Sequence, residues 1–521
     1  MEPTPLESFI DHKTKTNMQC GNYSIDLPAL NAGEQYRFHF DATACVGCRC
    51  CEVACNEQNN NPSNIKWRRV GEMEGGTFPD TLLLFNSMSC NHCIDPACLI
   101  GCPTNSYIKF DNGIVFHDDP SCIGCQYCTW NCPYGVPTYH AERHIVTKCH
   151  MCHERLAIGQ SPACVQACPS GAIEIETVNI AEWKETHIDE AANMPHLPDA
   201  RLTCSTTRFT LPKNMPDTMI RADEHHLKAS HSELPLVFMT VFTQISLGAF
   251  GALCLGDILS LFGFFEPTWM FALIALIPAA LGLPLSALHL GRPIRAMSAM
   301  KNLRTSWLSR EAAALGGFLL LMLLTTALYY VDAAVSLRIV SETIALGVGA
   351  YGIHAQAMIY RIPARPAWDR ISTNRKFFTT TYSGFFLMAF TLLVFGDPAS
   401  ATPLLSVAMI LAVMHGFFTY EAYRELKTAS AVPLAKSYRL YHETFATIHK
   451  ARWSSFVLGA FVFPLLATLF MASGTLDTAI LTLSIAFLLV LLSELADRFL
   501  FYTTVVPLSM AGGFFVGTQR D

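Results

Sequence analysis

Cys122-Ile123-Gly124-Cys125-Gln126-Tyr127-Cys128-Thr129-Trp130-Asn131-Cys132-Pro133 places four cysteines at the spacing C-x2-C-x2-C-x3-C and closes on a proline. A loop with that spacing presents three thiolates to one iron–sulfur cube while its fourth cysteine reaches a second cube. The same spacing recurs at Cys45, Cys48, Cys51 and Cys55. Two looser quartets stand at Cys90, Cys93, Cys98 and Cys102, and at Cys149, Cys152, Cys164 and Cys168. Together they use sixteen of the 20 cysteines, leaving Cys20, Cys50, Cys204 and Cys254 without a ligand role.

Zinc is the competing reading, since C-x2-C pairs also build tetrahedral zinc sites. Three quartets end in Cys-Pro, at Cys102-Pro103, Cys132-Pro133 and Cys168-Pro169, which zinc ribbons do not share. Disulfides fit worse, because the adjacent Cys50 and Cys51 and such dense spacing suit ligands rather than staples.

Ser106–Phe110 and Ile114–His117 alternate around the turn Asn112-Gly113, which predicts a hairpin joining the second and third quartets. Tyr36–Phe40 and Gly171–Glu176 are set to close the first and fourth quartets in the same way. The quartets then pair as nested ferredoxin-like units. Crossing each fourth cysteine gives the sets Cys45, Cys48, Cys51, Cys168; Cys149, Cys152, Cys164, Cys55; Cys90, Cys93, Cys98, Cys132; and Cys122, Cys125, Cys128, Cys102. Sequential pairing is the alternative.

Composition changes near Leu234. Before it the chain is polar and cysteine-rich; after it come eight apolar runs, each near the roughly 20 residues that cross a bilayer as a helix. They cover 236–260, 268–290, 312–331, 340–360, 377–395, 401–420, 453–473 and 477–503. A hydrophobic content of 51% and a mean hydropathy of +0.30 over the whole chain agree with a half-membrane protein. The expected fold is an α+β tandem ferredoxin-like iron–sulfur domain over 1–177, a connecting segment over 178–233, and an all-α eight-helix transmembrane bundle over 234–521.

With eight spans, the connections after spans 2, 4 and 6 share a side with both termini. They carry sixteen basic residues, among them Arg292, Arg295, Arg365 and Lys436, against one, Arg338, in the opposite loops. The positive-inside rule then puts the cysteine domain in the cytoplasm of a bacterial cell, on its inner membrane. Docking of those arginines on the cysteine domain or a partner subunit is the competing explanation. The stretch 1–11 is acidic and shows no apolar or twin-arginine export pattern, and a net charge of −6 gives no reason to expect nucleic acid.

The quartets, with Cys90-Asn-His-Cys93-Ile-Asp-Pro-Ala-Cys98 and Cys149-His-Met-Cys152-His-Glu-Arg155, resemble the four-cluster electron-transfer subunit of dimethyl sulfoxide reductase-type molybdoenzymes. The membrane half, with His289-Leu-Gly-Arg-Pro293, Asn302-Leu-Arg-Thr-Ser-Trp-Leu-Ser-Arg-Glu311 and Asp497-Arg-Phe-Leu-Phe-Tyr502, resembles the anchor subunit of the same enzymes. The chain resembles the two subunits fused. The resemblance implies four [4Fe-4S] clusters on the sixteen cysteines, a quinone or quinol (menaquinone or ubiquinone) site at His289 and Glu311, and a separate molybdopterin catalytic subunit as partner. The fusion ahead of the spans favours relatives that keep catalysis in the cytoplasm, such as sulfite-oxidising complexes.

The residues independently place His289 at the end of span 2 and Glu311 at the start of span 3, returned to one side by a short basic loop. Quinol oxidation releases protons with its electrons, so such a site needs a proton acceptor. His354 and His415 lack a second pair of histidines, so no haem is expected, and Glu494 and Arg498 are spaced to pair along one helix. A redox-driven proton translocator and a redox sensor are the other readings, but Asp257, His354, His415 and Glu494 are too scattered for a relay and no output domain is left over.

Overall fold

The computed structural model describes residues 17–20, 23–26, 30–187, 191–262, 267–396 and 398–511; the stretch 1–11 and the side chain of Cys20 lie outside that description. The N-terminal half is built from short strands: β1 (Asn17–Cys20), β2 (Tyr23–Asp26), β3 (Glu34–Asp41), β4 (Arg69–Thr77), β5 (Asp80–Met88), β6 (Tyr107–Lys109), β7 (Val115–His117), β8 (Thr138–His140), β9 (Ile145–Thr147), β10 (Ile173–Asn179), β11 (Arg208–Thr210) and β12 (Ile220–Arg221). The Asn112-Gly113 turn, with Gly113 at φ 85°, closes β6 on β7 with Ile108 opposite Phe116. β3 pairs antiparallel with β10, Phe38 opposite Ile175, so the ends of the cysteine region meet. Phe38, Phe40, Ile108, Phe110, Ile114 and Ile173 bury the inner faces of both pairings in one core.

The segment 178–233 is not a free connection. β11 adds parallel to β3, with Phe209 opposite Phe40, and β12 adds to the β4–β5 hairpin. Trp183 is fully buried, donates from Nε1 to the Ser205 carbonyl at 2.9 Å, and carries the Arg37 guanidinium 4.6 Å above its ring. Low periodicity hides this from the sequence, because strands of two and three residues leave no repeat to detect.

Among the described residues the membrane half contains eight long helical segments: α1 (Leu234–Ser260), α2 (Trp269–Ala287), α3 (Trp307–Tyr330), α4 (Val335–Tyr360), α5 (Ile371–Phe395), α6 (Pro398–Thr428), α7 (Ala446–Ala472) and α8 (Leu476–Thr503). Among the described residues seven are long and apolar enough to cross a membrane. α4 is the exception: it is long enough, but Arg338, Glu342, His354 and Gln356 lower its hydropathy. These groups face inward, Arg338, Glu342 and Gln356 being buried, as polar groups at membrane depth must. α1 is the central helix, with 83% of its apolar window buried against 33% for α2 and α3.

Two expectations about charges change. Arg338 is in α4 rather than in a loop, with Nε 3.1 Å from Asp257 of α1. Glu494 and Arg498 form no ion pair among the described residues. Glu494 accepts from Tyr382 and Thr380 at 2.9 and 3.1 Å and meets His415 at 3.2 Å, while Arg498 donates to Gln244 at 3.0 Å.

The connection between α2 and α3 lies directly on the cysteine domain. Gly291 and Gly124 approach so closely that a Cβ on Gly291 would stand 2.3 Å from the His144 carbonyl oxygen. Arg292 donates to the Asp119 and Cys122 carbonyls at 3.2 Å, Arg295 to the Pro120 carbonyl, and Asn302 to that of Cys102 at 2.9 Å. Part of the basic bias therefore serves docking between the two halves, the alternative set beside the positive-inside reading.

Candidate functional site

The first C-x2-C of each quartet turns through a left-handed residue just before its second cysteine: Gly47 (φ 69°), His92 (44°), Gly124 (69°) and Met151 (61°). This turn aims that residue's amide at the first sulfur. Gly124 N–H donates to Cys122 Sγ at 3.4 Å and Met151 N–H to Cys149 Sγ at 3.3 Å, and Gly47 and His92 make the same bond to Cys45 and Cys90. Such amide nests stabilise negative charge on sulfur and tune a cluster held there.

The fold gathers the thiols into four electrostatic neighbourhoods. Cys45 has Cys51, Cys168 and Cys48 as neighbours, and Cys55 has Cys149, Cys164 and Cys152. Cys98 has Cys90, Cys132 and Cys93, and Cys128 has Cys125, Cys122 and Cys102. These are the crossed sets. Burial pushes the Cys132 and Cys152 thiols up to about 11 and about 12. Four such thiols converging in a buried space need a positively charged centre to ionise them, and an iron–sulfur core fits that donor set.

Buried cations lie against the sets. Arg68 donates to Ser87 and Ser89, and its charge reaches Cys51 of one set and Cys55 and Cys164 of the next. Lys148 donates to the carbonyls of Val115 and Cys149, and its charge reaches Cys90 and Cys98. At one end Cys48 is exposed, with the bare side chains of Val46 and Val53 beside it. At the other, the helix Tyr127–Asn131 that carries Cys128 enters the membrane half. There the Tyr127 hydroxyl donates to the Ile359 carbonyl at 3.0 Å, and the Trp130 ring lies 5.9 Å from His289 and 5.4 Å from Trp368.

His289 bridges the two halves. Its Nε2 is 3.0 Å from the Cys125 carbonyl and its Nδ1 is 2.7 Å from a carboxylate oxygen of Glu233. Glu233 directly precedes α1. Burial would raise its pKa, but His289 and His231 outweigh that and hold it well below the usual carboxylate range. Glu311 is buried in the first turns of α3, with Oε1 lacking a hydrogen-bond partner among the described residues. Its carboxylate meets Gln356, which is joined through Gln244 to Arg498, and its charge reaches Tyr127, Tyr360 and Tyr502. His289 and Glu311 do not touch; Tyr502, which faces both Glu311 and Glu233, lies between their environments.

A cleft of about 110 Å³ between the halves is lined by Trp130, His231, Glu233, Arg365, Trp368 and Tyr502. Glu233 and Trp130 are candidate-site residues that sequence reasoning misses, and it reaches Tyr502 only as the end of the Asp497–Tyr502 motif, with no role at the site. Glu233 stands at the edge of an apolar run with no motif around it, and Trp130 lies inside a quartet whose cysteines carry all of the recognisable signal.

Residues 227–504 match the family of the DMSO reductase anchor subunit (DmsC), and residues 81–178 match the 4Fe-4S dicluster domain family. The chain belongs to the DMSO reductase anchor-subunit family, with the iron–sulfur subunit fused ahead of it. Its iron–sulfur half is 39% identical over 177 residues to the probable anaerobic dimethyl sulfoxide reductase chain YnfG of Escherichia coli (strain K12), covering 32% of this chain and 85% of that one. The B subunit of anaerobic dimethyl sulfoxide reductase from the same organism is 38% identical over the same lengths. The formate dehydrogenase-O iron-sulfur subunit of Escherichia coli (strain K12) is 38% identical over 156 residues, 26% of this chain and 51% of that one. The fused chain is thus an iron–sulfur electron-transfer subunit joined to a multi-pass membrane anchor.

Proposed function

We propose that the fused subunit passes electrons between the membrane quinone pool and a separate molybdopterin catalytic subunit, through four [4Fe-4S] clusters held by the crossed cysteine sets. The observation that carries this reading is the row of four thiol sets running from the exposed Cys48 to the Cys128 helix beside His289. When bound, the clusters supply one-electron transfer in series.

The protein's own residues do the remaining work. Amides of the four left-handed residues stabilise anionic sulfur, Arg68 places positive charge between two sets, and Lys148 places it beside a third. Glu311, with an unpaired oxygen in a buried position, is the group best suited to accept a hydrogen bond from a quinol hydroxyl and then its proton. His289, held between Glu233 and the Cys125 carbonyl, ties the start of α1 to the nearest thiol loop. The exposed Val46 and Val53 beside Cys48 form a docking surface for the catalytic partner.

The basic loops support a cytoplasmic placement of the iron–sulfur domain on a bacterial inner membrane, and with it a sulfite-oxidising or sulfoxide-reducing partner facing the cytoplasm. Asp257, a candidate for a transmembrane proton relay, is tied to Arg338, which favours the electron-transfer role alone.

The decisive experiment compares quinol and dithionite as reductants of the clusters. Glu311→Gln should slow quinol-dependent reduction about 100-fold, the lower range of a general acid–base contribution, with dithionite reduction intact. Unchanged quinol kinetics would remove the site from Glu311. His289→Ala should show the same selective loss.

A further inference from the structure

A second buried polar cluster lies on α5, α7 and α8. Lys376 and Arg452 share one carboxylate, Asp497, at 2.9 and 3.2 Å. Among the described residues Arg498 is held by the neutral Gln244 at 3.0 Å and the Phe377 ring, 3.8 Å below its guanidinium. The second carboxylate, Glu494, is already met by His415, Tyr382 and Thr380. At this cluster Lys376 and Arg452 thus share a single carboxylate, while Arg370 nearby is paired with Glu425 at 2.9 Å. Positive charge in excess of its partners is expensive to bury.

A pocket of about 50 Å³ opens on this cluster, lined by Arg370, Lys376, His449, Arg452 and Trp453 together with the Asp497 carboxylate that Lys376 and Arg452 share. One water needs about 10–15 Å³ of such volume, so a tetrahedral oxyanion can be accommodated. Three nitrogens of its lining, Nε of Arg452, Nε of Arg370 and Nδ1 of His449, are buried without a hydrogen-bond partner among the described residues. Arg452 itself is only 2% exposed. Excess charge, unpaired donors and free volume coincide at one place.

We propose that this pocket binds a phosphate group, of the kind carried by an anionic phospholipid. The lining includes Thr504 and Val505 at the end of α8, and the Val505 carbonyl accepts from Ser230, so the pocket lies at the end of the bundle nearest the iron–sulfur domain. Tyr423, Tyr441 and Trp453 around it are the amphipathic aromatics that settle at headgroup depth, where basic pockets between helices take anionic heads. The bound phosphate would balance the excess cation and tie α5, α6, α7 and α8 together at that end.

The test uses the full-length protein with its clusters, purified in detergent and washed extensively. Retained phospholipid is measured by mass spectrometry and phosphorus assay, and inorganic phosphate is titrated by calorimetry. The native protein should keep about one phospholipid per chain, and Arg452→Gln should lower its affinity roughly tenfold or more, as expected for loss of a charge-assisted bond. Arg370→Gln, at the less buried rim, gives a second variant, and cluster absorbance reports whether either is misfolded. Binding of inorganic phosphate without retained lipid, again weakened in the variants, supports the same site filled from solution. Retention of neither ligand by the native protein, or equal retention by both folded variants, overturns the proposal.

Discussion

At the scale of single residues, backbone geometry matters as much as the cysteines. Gly291 sits in a motif that resemblance ties to quinone chemistry, but its own contact is a close approach to the His144 carbonyl. Gly291→Ala forces that contact apart and should weaken docking of the two halves by about 1–3 kcal/mol, the usual range for overpacking. Faster proteolytic release of the iron–sulfur domain, together with slower quinol-dependent reduction, is the expected readout. Thr203 donates to Cys93 Sγ at 3.1 Å. A donor to sulfur favours the more negative reduced state, so Thr203→Val should lower the midpoint potential of one cluster and leave the other three in place, as followed by redox titration with electron paramagnetic resonance. Neither residue is legible in the sequence. A glycine and a threonine carry no signal until their neighbours are known.

Among the elements, the β6–β7 hairpin follows directly from sequence, because an Asn-Gly turn and alternating apolar residues prescribe it locally, whereas β3 and β10 are legible as strands but meet only through the tertiary fold. The segment after β10 shows the opposite case. Its strands exist only because β3 and β4 offer open edges, and its core residue Trp183 looks like any other aromatic in a polar stretch. Trp183→Ala should destabilise the iron–sulfur half by about 3–5 kcal/mol, the cost of emptying a large buried site. Thermal unfolding followed by loss of cluster absorbance measures it, with the helical signal of the membrane half persisting. α4 reads as a span by its length, whereas its buried Arg338, Glu342 and Gln356 make it a polar inner element whose partners come from α1 and α3.

For the whole molecule, the two halves interlock, since the Cys128 helix is embedded among membrane-half aromatics and His289 reaches back to Cys125. Iron and sulfide assays on the purified chain should give about sixteen of each, and Cys128→Ser should remove about four irons or convert one cluster to a three-iron form. Eight irons would leave two of the four sets empty. A topology experiment belongs to the same scale: cysteines introduced in the loop after α4 should be protected from impermeant reagents in intact cells if the iron–sulfur half is cytoplasmic.

The sequence by itself determined the sixteen-cysteine framework, the strand segments that flank the quartets, and the division into a polar and an apolar half. Those are written in spacing, period and hydropathy, which are properties of neighbours along the chain. Only the tertiary structure decided which polar residues meet: Glu233 with His289, Asp257 with Arg338, Glu494 with His415, and two cations on Asp497. Inside a bilayer a buried polar group must find a partner wherever the packing places one, and that partner can lie hundreds of residues away.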